Sequence, residues 1–401
     1  MDLDFISKLS KPDKTKIVML IIDGLGGLPR AIDGLTELQV ANTPNLDILA
    51  RKGICGLQQT VGSGITPGSG PGHLSVFGYD PIKYQVGRGV LAALGINFDL
   101  KIGDIAARGN FCTIDENGKI SDRRAGRIST EKNKELCKIL RSIEIPKVKI
   151  FIETVKEHRF LIVLRGEGLS NDLIDTDPQV IGLEPINPGS LSEKSEKTVK
   201  IISQFLDKTR SILADYYPAN MVLLRGFSIK PNWPTFKDIF SINSAAIASY
   251  PMYRGVAKLV GMDIIEAGLN ISDLFDKLEE NWNKYDFFYV HIKKTDSAGE
   301  DGDFDKKVSI IEETDNQIQR LIDLNPDVII VTGDHSTPSI LKSHSWHPVP
   351  ILLYSKYCRP DKVEFFNEND CIKGALGCRF PAVDIMPLAL ANAKRLEKFG
   401  A

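Results

Sequence analysis

A single serine lies in a segment whose other residues are mostly glycine and proline. Residues 66–73 read Thr-Pro-Gly-Ser-Gly-Pro-Gly-His, and an apolar segment typical of a helix follows directly. Glycine lets backbone N–H groups approach an anion closely, and the first turn of a helix adds free N–H donors and the positive end of the helix dipole. Ser69 is therefore a candidate nucleophile for phosphoryl transfer. Taken alone, the segment is more typical of a turn with a helix-capping serine.

Acidic and histidine side chains follow three further segments, each of which is apolar and typical of a buried parallel strand. In open α/β sheets, ligands bind beyond the carboxyl ends of the strands, where such side chains converge. Aspartate and histidine bind divalent cations, and two adjacent cations stabilise both the attacking and the leaving oxygens of phosphoryl transfer. The candidates are Asp23 after residues 17–22, Asp296 after 286–292, Asp334 and His335 after 327–332, and His344 in the loop before 351–354.

Each of these residues also has a plain structural alternative. Asp23 fits the aspartate of a turn, the Asp-His pair at 334–335 fits a helix cap, and His344 fits a surface loop. Their combination in one chain, all at predicted strand ends or in loops at the sheet edge, favours a two-metal site. A serine hydroxyl bound to a metal loses its proton near neutral pH, which connects Ser69 to this site.

The composition is that of a soluble globular protein. The chain has 401 residues, of which 42% are apolar and 25% are charged, and its formal net charge is −2. This charge provides no general basic field for nucleic acid or an anionic membrane, so we expect neither as a partner. The six cysteines include no Cys-x-x-Cys pair, and the sequence shows neither an apolar signal core nor a bilayer-spanning run. We expect a cytoplasmic protein, and the sequence does not predict its oligomeric state.

The elements that must position the candidate ligands are predicted to form an α/β fold. Thr43 is predicted to cap a helix that ends at Gly53, and an amphipathic helix is predicted over 192–216. Residues 293–303 are dense in acids and are predicted to form a loop, which leads into a helix that begins at Phe304.

Between about residue 90 and residue 243 the sequence changes to short mixed strand and helix patterns with denser charge. Arginines recur beside turn residues there, and guanidinium groups suit bidentate contacts with carboxylate and phosphate. We expect two or three of them to bind substrate and the others to form a solvated basic surface. The candidates for substrate binding are Arg108, Arg123, Arg127, His158 and Arg159 in this segment, and Arg254 outside it.

A series of short motifs runs through nearly the whole chain. They are Asp23-Gly24, Thr43 to Leu46, Gly64 to Ser69 with Gly72-His73, Phe77 to Pro81, Arg108 to Phe111, Asp122 to Arg127, Leu164 to Ser170, Asp175 to Pro178, Asp296, Gly333-Asp334-His335, and His344 with Pro348-Val349-Pro350. In combination they resemble the archaeal type of cofactor-independent phosphoglycerate mutases, within the alkaline phosphatase superfamily. The resemblance implies an alkaline-phosphatase-like α/β fold, with a mostly parallel sheet sandwiched by helices and a smaller inserted α+β domain. The metal-binding catalytic domain would be 1–89 with 244–401, and the substrate-binding insertion 90–243.

The resemblance also implies an activity. It is the interconversion of 3- and 2-phosphoglycerate in glycolysis and gluconeogenesis, without 2,3-bisphosphoglycerate. Ser69 would be the phosphorylated nucleophile, and the inserted arginines would bind phosphoglycerate and reorient glycerate. Two divalent ions are implied, with Mn²⁺ first and Mg²⁺, Co²⁺ or Zn²⁺ as alternatives. The implied ligands are Asp23, Ser69, Asp334 and His335 for one ion, and Asp296, Glu300 and His344 for the other.

Two positions depart from the family pattern. The family places a histidine four residues after the aspartate of the second site, where this chain has Glu300. A carboxylate at this position still ligates and favours Mn²⁺ or Mg²⁺ over Zn²⁺. The alternative is a weak site in which Asp301 or Asp303 replaces it. Gly70 stands where an acidic residue is expected, which removes one acceptor near the substrate.

Two other functions fit parts of the sequence. A metal-dependent phosphomonoesterase, or a mutase for another phosphorylated substrate, would keep the same metal ligands. A hydrolase, however, does not need several arginines to retain the dephosphorylated product. A catalytically silent, metal-binding relative would explain Glu300 and Gly70, but the intact Ser69 argues against it.

Overall fold

The computed structural model describes residues 2–400, which form two compact units. One unit extends to Gln85 and resumes at Trp233, and the other is Val86–Asn232. The strands, in chain order, are β1 (Ile17–Ile22), β2 (Ile54–Gln59), β3 (Ile105–Ile114), β4 (Ile120–Asp122), β5 (Lys149–Lys156), β6 (Arg159–Arg165), β7 (Met221–Ser228), β8 (Ser244–Ile247), β9 (Asp263–Ile265), β10 (Phe287–Ile292), β11 (Val328–Thr332), β12 (Val349–Ser355) and β13 (Gly377–Pro381). The helices are α1 (Leu3–Leu9), α2 (Glu37–Val40), α3 (Pro44–Lys52), α4 (Ser69–Val76), α5 (Arg88–Gly95), α6 (Thr130–Leu140), α7 (Glu196–Leu213), α8 (Phe236–Phe240), α9 (Pro251–Leu259), α10 (Ile271–Asn281), α11 (Lys294–Asp301), α12 (Phe304–Asp323), α13 (Glu368–Cys371) and α14 (Ile385–Asn392).

An eight-stranded sheet organises the first unit, in the order β13-β2-β12-β11-β1-β10-β8-β9. The five strands from β11 to β9 are parallel to one another, whereas β12 is antiparallel to both of its neighbours. Every residue of β1 is fully buried, as a continuous apolar strand in the middle of a parallel sheet requires. The predicted α/β fold with a mostly parallel sheet is therefore confirmed.

Helices cover both faces of this sheet. Val18, Leu20 and Ile22 of β1 belong to a core shared with apolar residues of α3, α10 and α12. On the other face, the Tyr289 ring of β10 packs against Phe77 at the end of α4, with 4.9 Å between ring centroids. The sheet is thus buried on both sides, and the carboxyl ends of β1, β10 and β11 lie side by side. Among residues 2–400, no helix combines the length and the apolar character that a bilayer-spanning segment needs.

The segment after β10 corrects one prediction. Residues 293–303 were expected to form a loop because they are rich in acids and glycine, but 294–301 form α11. The helix ends at Gly302, whose φ of 77° stops it in the left-handed conformation. Its buried face explains why it forms: Thr295 donates a hydrogen bond to the Asp23 carbonyl at 2.5 Å, and Gly299 packs directly on the Thr337 carbonyl.

The start of α3 corrects a second prediction. The helix begins at Pro44 as expected, but the Thr43 hydroxyl makes no capping hydrogen bond to any residue in 2–400. Asp315 of α12 caps the helix instead, because its carboxylate accepts from the Leu46 amide at 2.7 Å and from the Asn45 amide at 3.2 Å. A partner distant in sequence therefore replaces the local cap.

The second unit is an antiparallel sheet with helices. Strand β3 pairs with β4, β6 and β7, and β6 pairs with β5, all in antiparallel fashion. Apolar residues of α6 and α7 complete its core, and α7 lies within the helix predicted over 192–216. This arrangement confirms an inserted α+β segment. The unit begins after Gln85 and ends before Trp233, whereas the sequence-based boundaries follow residues 89 and 243.

The entry and exit of the second unit lie side by side. Gly87 approaches the Gly226 carbonyl so closely that an added Cβ would be 2.5 Å from it. Gly226 itself has a φ of 65° and touches the Arg88 backbone. The Val90 amide also donates to the Ser228 hydroxyl at 3.4 Å. The first turn of α5 is thus tied to the end of β7.

Candidate active site

Ser69 is the first residue of α4, and Gly68 is its N-cap. The Ser69 hydroxyl oxygen lies 3.3 Å from Nε2 of His335, so the nucleophile candidate meets the loop that follows β11. Gly72, one turn further along, packs against the Asp334 carbonyl, where any Cβ would collide with the backbone. This contact explains the glycine: it brings α4 close enough for Ser69 to reach the strand ends.

Asp23, Asp334 and His335 form the first group of candidate metal ligands. Their donor atoms lie within 4.8 Å of one another, and all three residues are buried. Nε2 of His335 is 3.3 Å from Oδ1 of Asp23 and 3.2 Å from Oδ2 of Asp334. The loops after β1 and β11 bring these atoms together because the two strands are adjacent and parallel.

Asp296, His335 and His344 form the second group, also within 4.8 Å. Nε2 of His344 is 3.4 Å from Oδ1 of Asp296, and its ring stacks on that of His335 at 3.6 Å between centroids. Oε1 of Glu300 lies 3.9 Å from Nε2 of His344, and its side chain is 42% exposed. Glu300 is thus at the margin of this group, one helical turn after Asp296.

Lys293 connects the two groups. Its ammonium is 3.2 Å from Oδ2 of Asp23 and also forms an ion pair with Oδ2 of Asp296. Burial would raise the pKa of the Asp23 carboxyl, but Lys293, His291 and His335 outweigh burial and hold this pKa well below its usual value. Burial and the charge of Asp23 likewise oppose ionisation of Asp296, whereas Lys293 and the nearby histidines lower its pKa. Both carboxylates are ionised.

Buried histidine and tyrosine side chains pack behind the candidate metal ligands and Ser69. Nε2 of His291 lies 3.2 Å from Oδ2 of Asp23, and the His291 ring stacks on Tyr253 at 3.8 Å. Nδ1 of His73 lies 2.8 Å from the Ser69 carbonyl and 3.2 Å from Oδ2 of Asp334. His73 therefore contacts the nucleophile and a ligand residue without belonging to either metal group.

The donor atoms fit a bound cation. Within residues 2–400, no contact that meets hydrogen-bond geometry reaches either oxygen of Asp23 or Oδ2 of Asp334, although all three atoms are buried. Lys293 and His291 approach Oδ2 of Asp23 to 3.2 Å, and His73 approaches Oδ2 of Asp334 to 3.2 Å, as ion-pair contacts only. Buried carboxylate oxygens without donors are costly unless a cation compensates them. The second group adds a carboxylate and a half-buried imidazole. Burial would lower the pKa of His344, but Asp296 raises it to about 9, so this ring also lies in a site that favours positive charge.

The second unit collects positive charge around His158. This residue is 2% exposed, and burial together with the charges of four arginines lowers its pKa to about 3. Its ring is therefore neutral. The four arginines are Arg159, Arg124, Arg108 and Arg127. Four of the predicted substrate-binding residues, Arg108, Arg127, His158 and Arg159, thus lie near one another.

The remaining two substrate candidates are engaged elsewhere. Arg123 donates two hydrogen bonds to the Asp177 carboxylate, at 3.0 and 2.7 Å, and Arg225 adds a contact of 3.3 Å to the same group. Arg254 belongs to the first unit, on α9, and forms an ion pair with Glu266.

Comparison with known proteins identifies the family. Residues 50–219 match the family model described as 2,3-bisphosphoglycerate-independent phosphoglycerate mutase. A curated relative from Thermosipho africanus, named a probable 2,3-bisphosphoglycerate-independent phosphoglycerate mutase, is 54% identical over 398 residues, which cover 99% of this chain and 98% of the relative. The chain belongs to the 2,3-bisphosphoglycerate-independent phosphoglycerate mutase family.

Further members and solved structures extend this result. The probable mutase of the same name from Aquifex aeolicus is 52% identical over 409 residues, with both chains fully covered. A solved protein from Pyrococcus horikoshii has a TM-score of 0.82 and 31% identity, and the match covers 96% of this chain and 99% of that one. The cofactor-independent phosphoglycerate mutase from Thermoplasma acidophilum has a TM-score of 0.68 and 30% identity, with 94% and 100% covered. The resemblance to the archaeal type is thereby confirmed.

Sequence reasoning missed several residues of this mutase-family site. His291 lies inside an apolar strand and is a polar residue where a parallel strand is otherwise apolar, which is the signal that could have found it. Thr337 follows the Asp-His pair by two residues, but nothing in the sequence distinguishes it from an ordinary loop threonine. Asp177 lies in a motif noted for the family, yet its pairing with Arg123 depends on contacts distant in sequence.

Proposed function

We propose that the chain interconverts 3- and 2-phosphoglycerate by way of a phosphoserine at Ser69, with two divalent metal ions and without 2,3-bisphosphoglycerate. The unit that contains Ser69 and the metal ligands would be the catalytic domain, and the inserted unit would bind substrate. A cytoplasmic location, and the absence of nucleic-acid and membrane partners, stay predictions.

One observation carries this proposal. The Ser69 hydroxyl lies at the start of a helix, 3.3 Å from the histidine nitrogen that two buried carboxylates also approach. A nucleophile, a cation site and helix N–H donors thus meet at one point. This combination suits attack on a phosphoryl group, which carries negative charge before, during and after transfer.

The ligand sets follow from the two groups. Asp23, Ser69, Asp334 and His335 would hold one ion, and Asp296, Glu300 and His344 the other. Carboxylate oxygens predominate among these donors, which favours Mn²⁺. When bound, the metals supply the positive charge that lowers the pKa of the serine hydroxyl and stabilises the phosphoryl oxygens during transfer. Glu300 is supported by its position one turn after Asp296, on the same face of α11.

The chain's own residues perform the remaining tasks. Ser69 Oγ forms a bond to phosphorus while the bond between phosphorus and the glycerate oxygen breaks, and the serine proton is transferred to the departing glycerate. The other glycerate hydroxyl then attacks the phosphoserine and forms a bond to phosphorus while the bond between phosphorus and Ser69 Oγ breaks, and the proton of this hydroxyl is transferred to Ser69 Oγ. The hydrogen bond from His73 to the Ser69 carbonyl would keep the first turn of α4 in place throughout.

The arginines around His158 would hold glycerate between the two transfers. Arg108, Arg127 and Arg159 would bind its carboxylate, and the neutral His158 would donate or accept a hydrogen bond. Arg123 and Arg254 stay predictions as substrate ligands, since each would have to share its guanidinium with Asp177 or Glu266. Retaining glycerate prevents net hydrolysis, in which water would attack the phosphoserine.

A coupled assay tests the activity. Purified protein is given 3-phosphoglycerate and Mn²⁺ without 2,3-bisphosphoglycerate, and 2-phosphoglycerate and free phosphate are followed in the same sample. We expect 2-phosphoglycerate from the wild type and none from Ser69→Ala. Ser75→Ala is the matched control, because Ser75 lies on the same helix and its buried hydroxyl has no hydrogen-bond partner among residues 2–400. Phosphate release without 2-phosphoglycerate would instead identify a phosphomonoesterase.

A further inference from the structure

Thr337 lies between the two metal groups. It is fully buried in the loop after β11, two residues beyond His335. Its hydroxyl oxygen is 2.7 Å from Oδ1 of Asp296 and 3.0 Å from Nδ1 of His335. The hydroxyl thus contacts one residue from each group, and both contacts have hydrogen-bond geometry.

Asp296, Thr337 and His335 form a triad, and the protons available in it determine which atom donates each hydrogen bond. A threonine hydroxyl has one proton to donate, and an ionised carboxylate has none. The contact with Asp296 is therefore a hydrogen bond only if Thr337 donates its proton there. The hydroxyl then has lone pairs alone for His335, so Nδ1 of His335 must carry the ring proton and donate it to Thr337.

Because Nδ1 of His335 carries the proton, the ring nitrogen with a free lone pair is Nε2. That nitrogen lies 3.3 Å from Oδ1 of Asp23 and 3.2 Å from Oδ2 of Asp334, so three acceptor atoms converge, and the Ser69 hydroxyl is 3.3 Å from the same nitrogen. A cation fits such a set of acceptors, and Ser69 then lies beside it. Nδ1, being used by Thr337, is not available to the Asp296–His344 group, although His335 is close to both groups.

The backbone of Thr337 holds the hydroxyl in place. Its amide lies 3.1 Å from the Gly26 carbonyl and 3.3 Å from the Gly24 carbonyl, in the loop that follows Asp23. Its own carbonyl accepts a hydrogen bond of 2.9 Å from the buried ammonium of Lys307, which also donates to Gly26 at 3.1 Å. The loops after β1 and β11 are thus joined at Thr337, and the side chain has little freedom to turn away.

We propose that Thr337 is a positioning residue: its hydroxyl ties the Asp296 carboxylate to the His335 ring and thereby directs Nε2 of His335 to the Asp23–Asp334 metal. The inference rests on the proposed two-metal function. It gives a physical reason for the assignment of His335 to one ion and gives the two sites a shared polar group.

Calorimetric titration of the metal-free protein with Mn²⁺ tests this role without relying on activity. Thr337→Val keeps the shape of the side chain and removes the hydroxyl. We expect the Mn²⁺ dissociation constant of the Asp23–Asp334 site to rise about 10- to 100-fold, as for other groups that orient a metal-binding histidine. Thr337→Ser keeps the hydroxyl, and we expect it to restore wild-type affinity.

Thr332→Val is the matched control. Thr332 is equally buried at the end of β11, but its hydroxyl donates to the Pro350 carbonyl at 2.8 Å and not to a ligand. We expect its Mn²⁺ affinity to stay within about twofold of the wild type. All titrations are made well below the unfolding temperature of each variant. If Thr337→Val does not fold, comparison of Thr337→Ser with Thr337→Ala replaces it.

Three results would overturn the inference. The first is an unchanged Mn²⁺ affinity in Thr337→Val or, in its place, Thr337→Ala. The second is an equal loss in Thr332→Val, which would indicate a general effect of disturbed packing. The third is a failure of Thr337→Ser to restore affinity. A wild-type protein that binds no Mn²⁺ would overturn the proposed two-metal function itself. Because this result differs from the three above, failure of the function can be distinguished from failure of the inference about Thr337.

Discussion

The two units each bury a histidine, and the surroundings of these histidines are opposite in charge. His335 lies among three aspartates at the strand ends of the parallel sheet, and His158 lies among arginines on the antiparallel sheet. Burial favours the neutral ring in both places. The acidic region has three carboxylates and only one ammonium group, so its charge favours the binding of additional cations. The charge of the basic region favours the binding of an anion.

The two regions also differ in how they are held. The aspartates are short side chains fixed by the ends of adjacent strands, so the backbone sets their spacing. The arginines are long side chains, and Arg159 lies 3.5 Å from the Glu157 carboxylate, which helps to orient it. We therefore expect substitutions in the acidic region to change metal content, and those in the basic region to change substrate affinity alone.

The largest expected effect comes from Asp334→Asn. The substitution keeps the shape of the side chain but removes a ligand charge, so we expect loss of one Mn²⁺ per chain and a fall in kcat of about 10³-fold or more. Metal content is measured by mass spectrometry after dialysis. Asp327→Asn, just before the other end of β11, is the control because its carboxylate accepts from the Lys16 amide at 2.8 Å and lies 3.8 Å from the Lys356 ammonium, neither of which is a candidate ligand. A wild-type metal content in Asp334→Asn would contradict the assignment.

Arg159→Ala tests the basic region. We expect KM for phosphoglycerate to rise about 10- to 100-fold, the range for a lost charge-assisted hydrogen bond, with Mn²⁺ content unchanged. Arg165→Ala is the matched control at the other end of β6, where the guanidinium pairs with Asp104 at 2.8 and 2.6 Å. Steady-state kinetics distinguish the two variants. Equal KM values for both would remove Arg159 from the substrate site.

Glu300→Ala tests the departure from the family pattern. We expect about tenfold weaker Mn²⁺ binding at the second site, since this residue lies at the margin of the Asp296–His344 group. Glu313→Ala, an exposed acid on α12, controls for the loss of one negative charge. The comparison is made by calorimetric titration. Unchanged stoichiometry and affinity would show that Glu300 is not a ligand.

The last expected effect concerns the stability of the inserted unit and not its activity, and it is a pH dependence at His158. Its pKa is about 3 in the folded protein and 6.5 in the unfolded chain, so below pH 6.5 the unfolded chain binds a proton that the folded unit does not. Stability therefore falls as the pH drops from 6.5 toward 3, by at most about 1.4 kcal/mol per pH unit. The groups that face the ring are Arg108, Arg124, Arg127, Arg159 and, 4.0 Å from Nδ1, Glu157.

Hydrogen exchange of β3 and β6 at pH 7 and pH 5 measures this loss in the inserted unit. In His158→Gln we expect a smaller loss between the two pH values, because the substituted side chain does not titrate. Equal pH dependence of the two proteins would show that other groups determine the acid sensitivity.

The sequence predicted those features that depend on local pattern. Continuous apolar runs predicted β1, β10 and β11, and the position of an acid after each run predicted which side chains would meet. The failures have long-range causes. Helix α11 forms because its small residues pack on the loops that contain Asp23 and Thr337. Helix α3 is capped by a residue of α12. Neither outcome can be predicted from residues that are close in sequence.

The same limit applies to the site. Residue type together with position after predicted strands or in loops at the sheet edge singled out Asp23, Asp296, Asp334, His335 and His344 as candidates. The family resemblance assigned His335 to the ion of Asp23 and Asp334, but residue type gave no physical reason for this choice, which depends on the nitrogen that Thr337 contacts. Residue type also could not show that Arg123 is held by Asp177, because the two residues are distant in sequence.

Gly87 and Gly226 lie next to each other, so the chain enters and leaves the inserted unit at nearly the same point. Such a unit can be exchanged as one module. A segment whose two ends leave the host chain at neighbouring points can be replaced by another without shifting the register of the host sheet. If the inserted unit binds substrate as proposed, substrate recognition can change in evolution while the strand ends of the other unit stay the same. The same property offers a practical route to chimaeric enzymes, in which one phosphoryl-transfer centre is combined with inserts of different specificity.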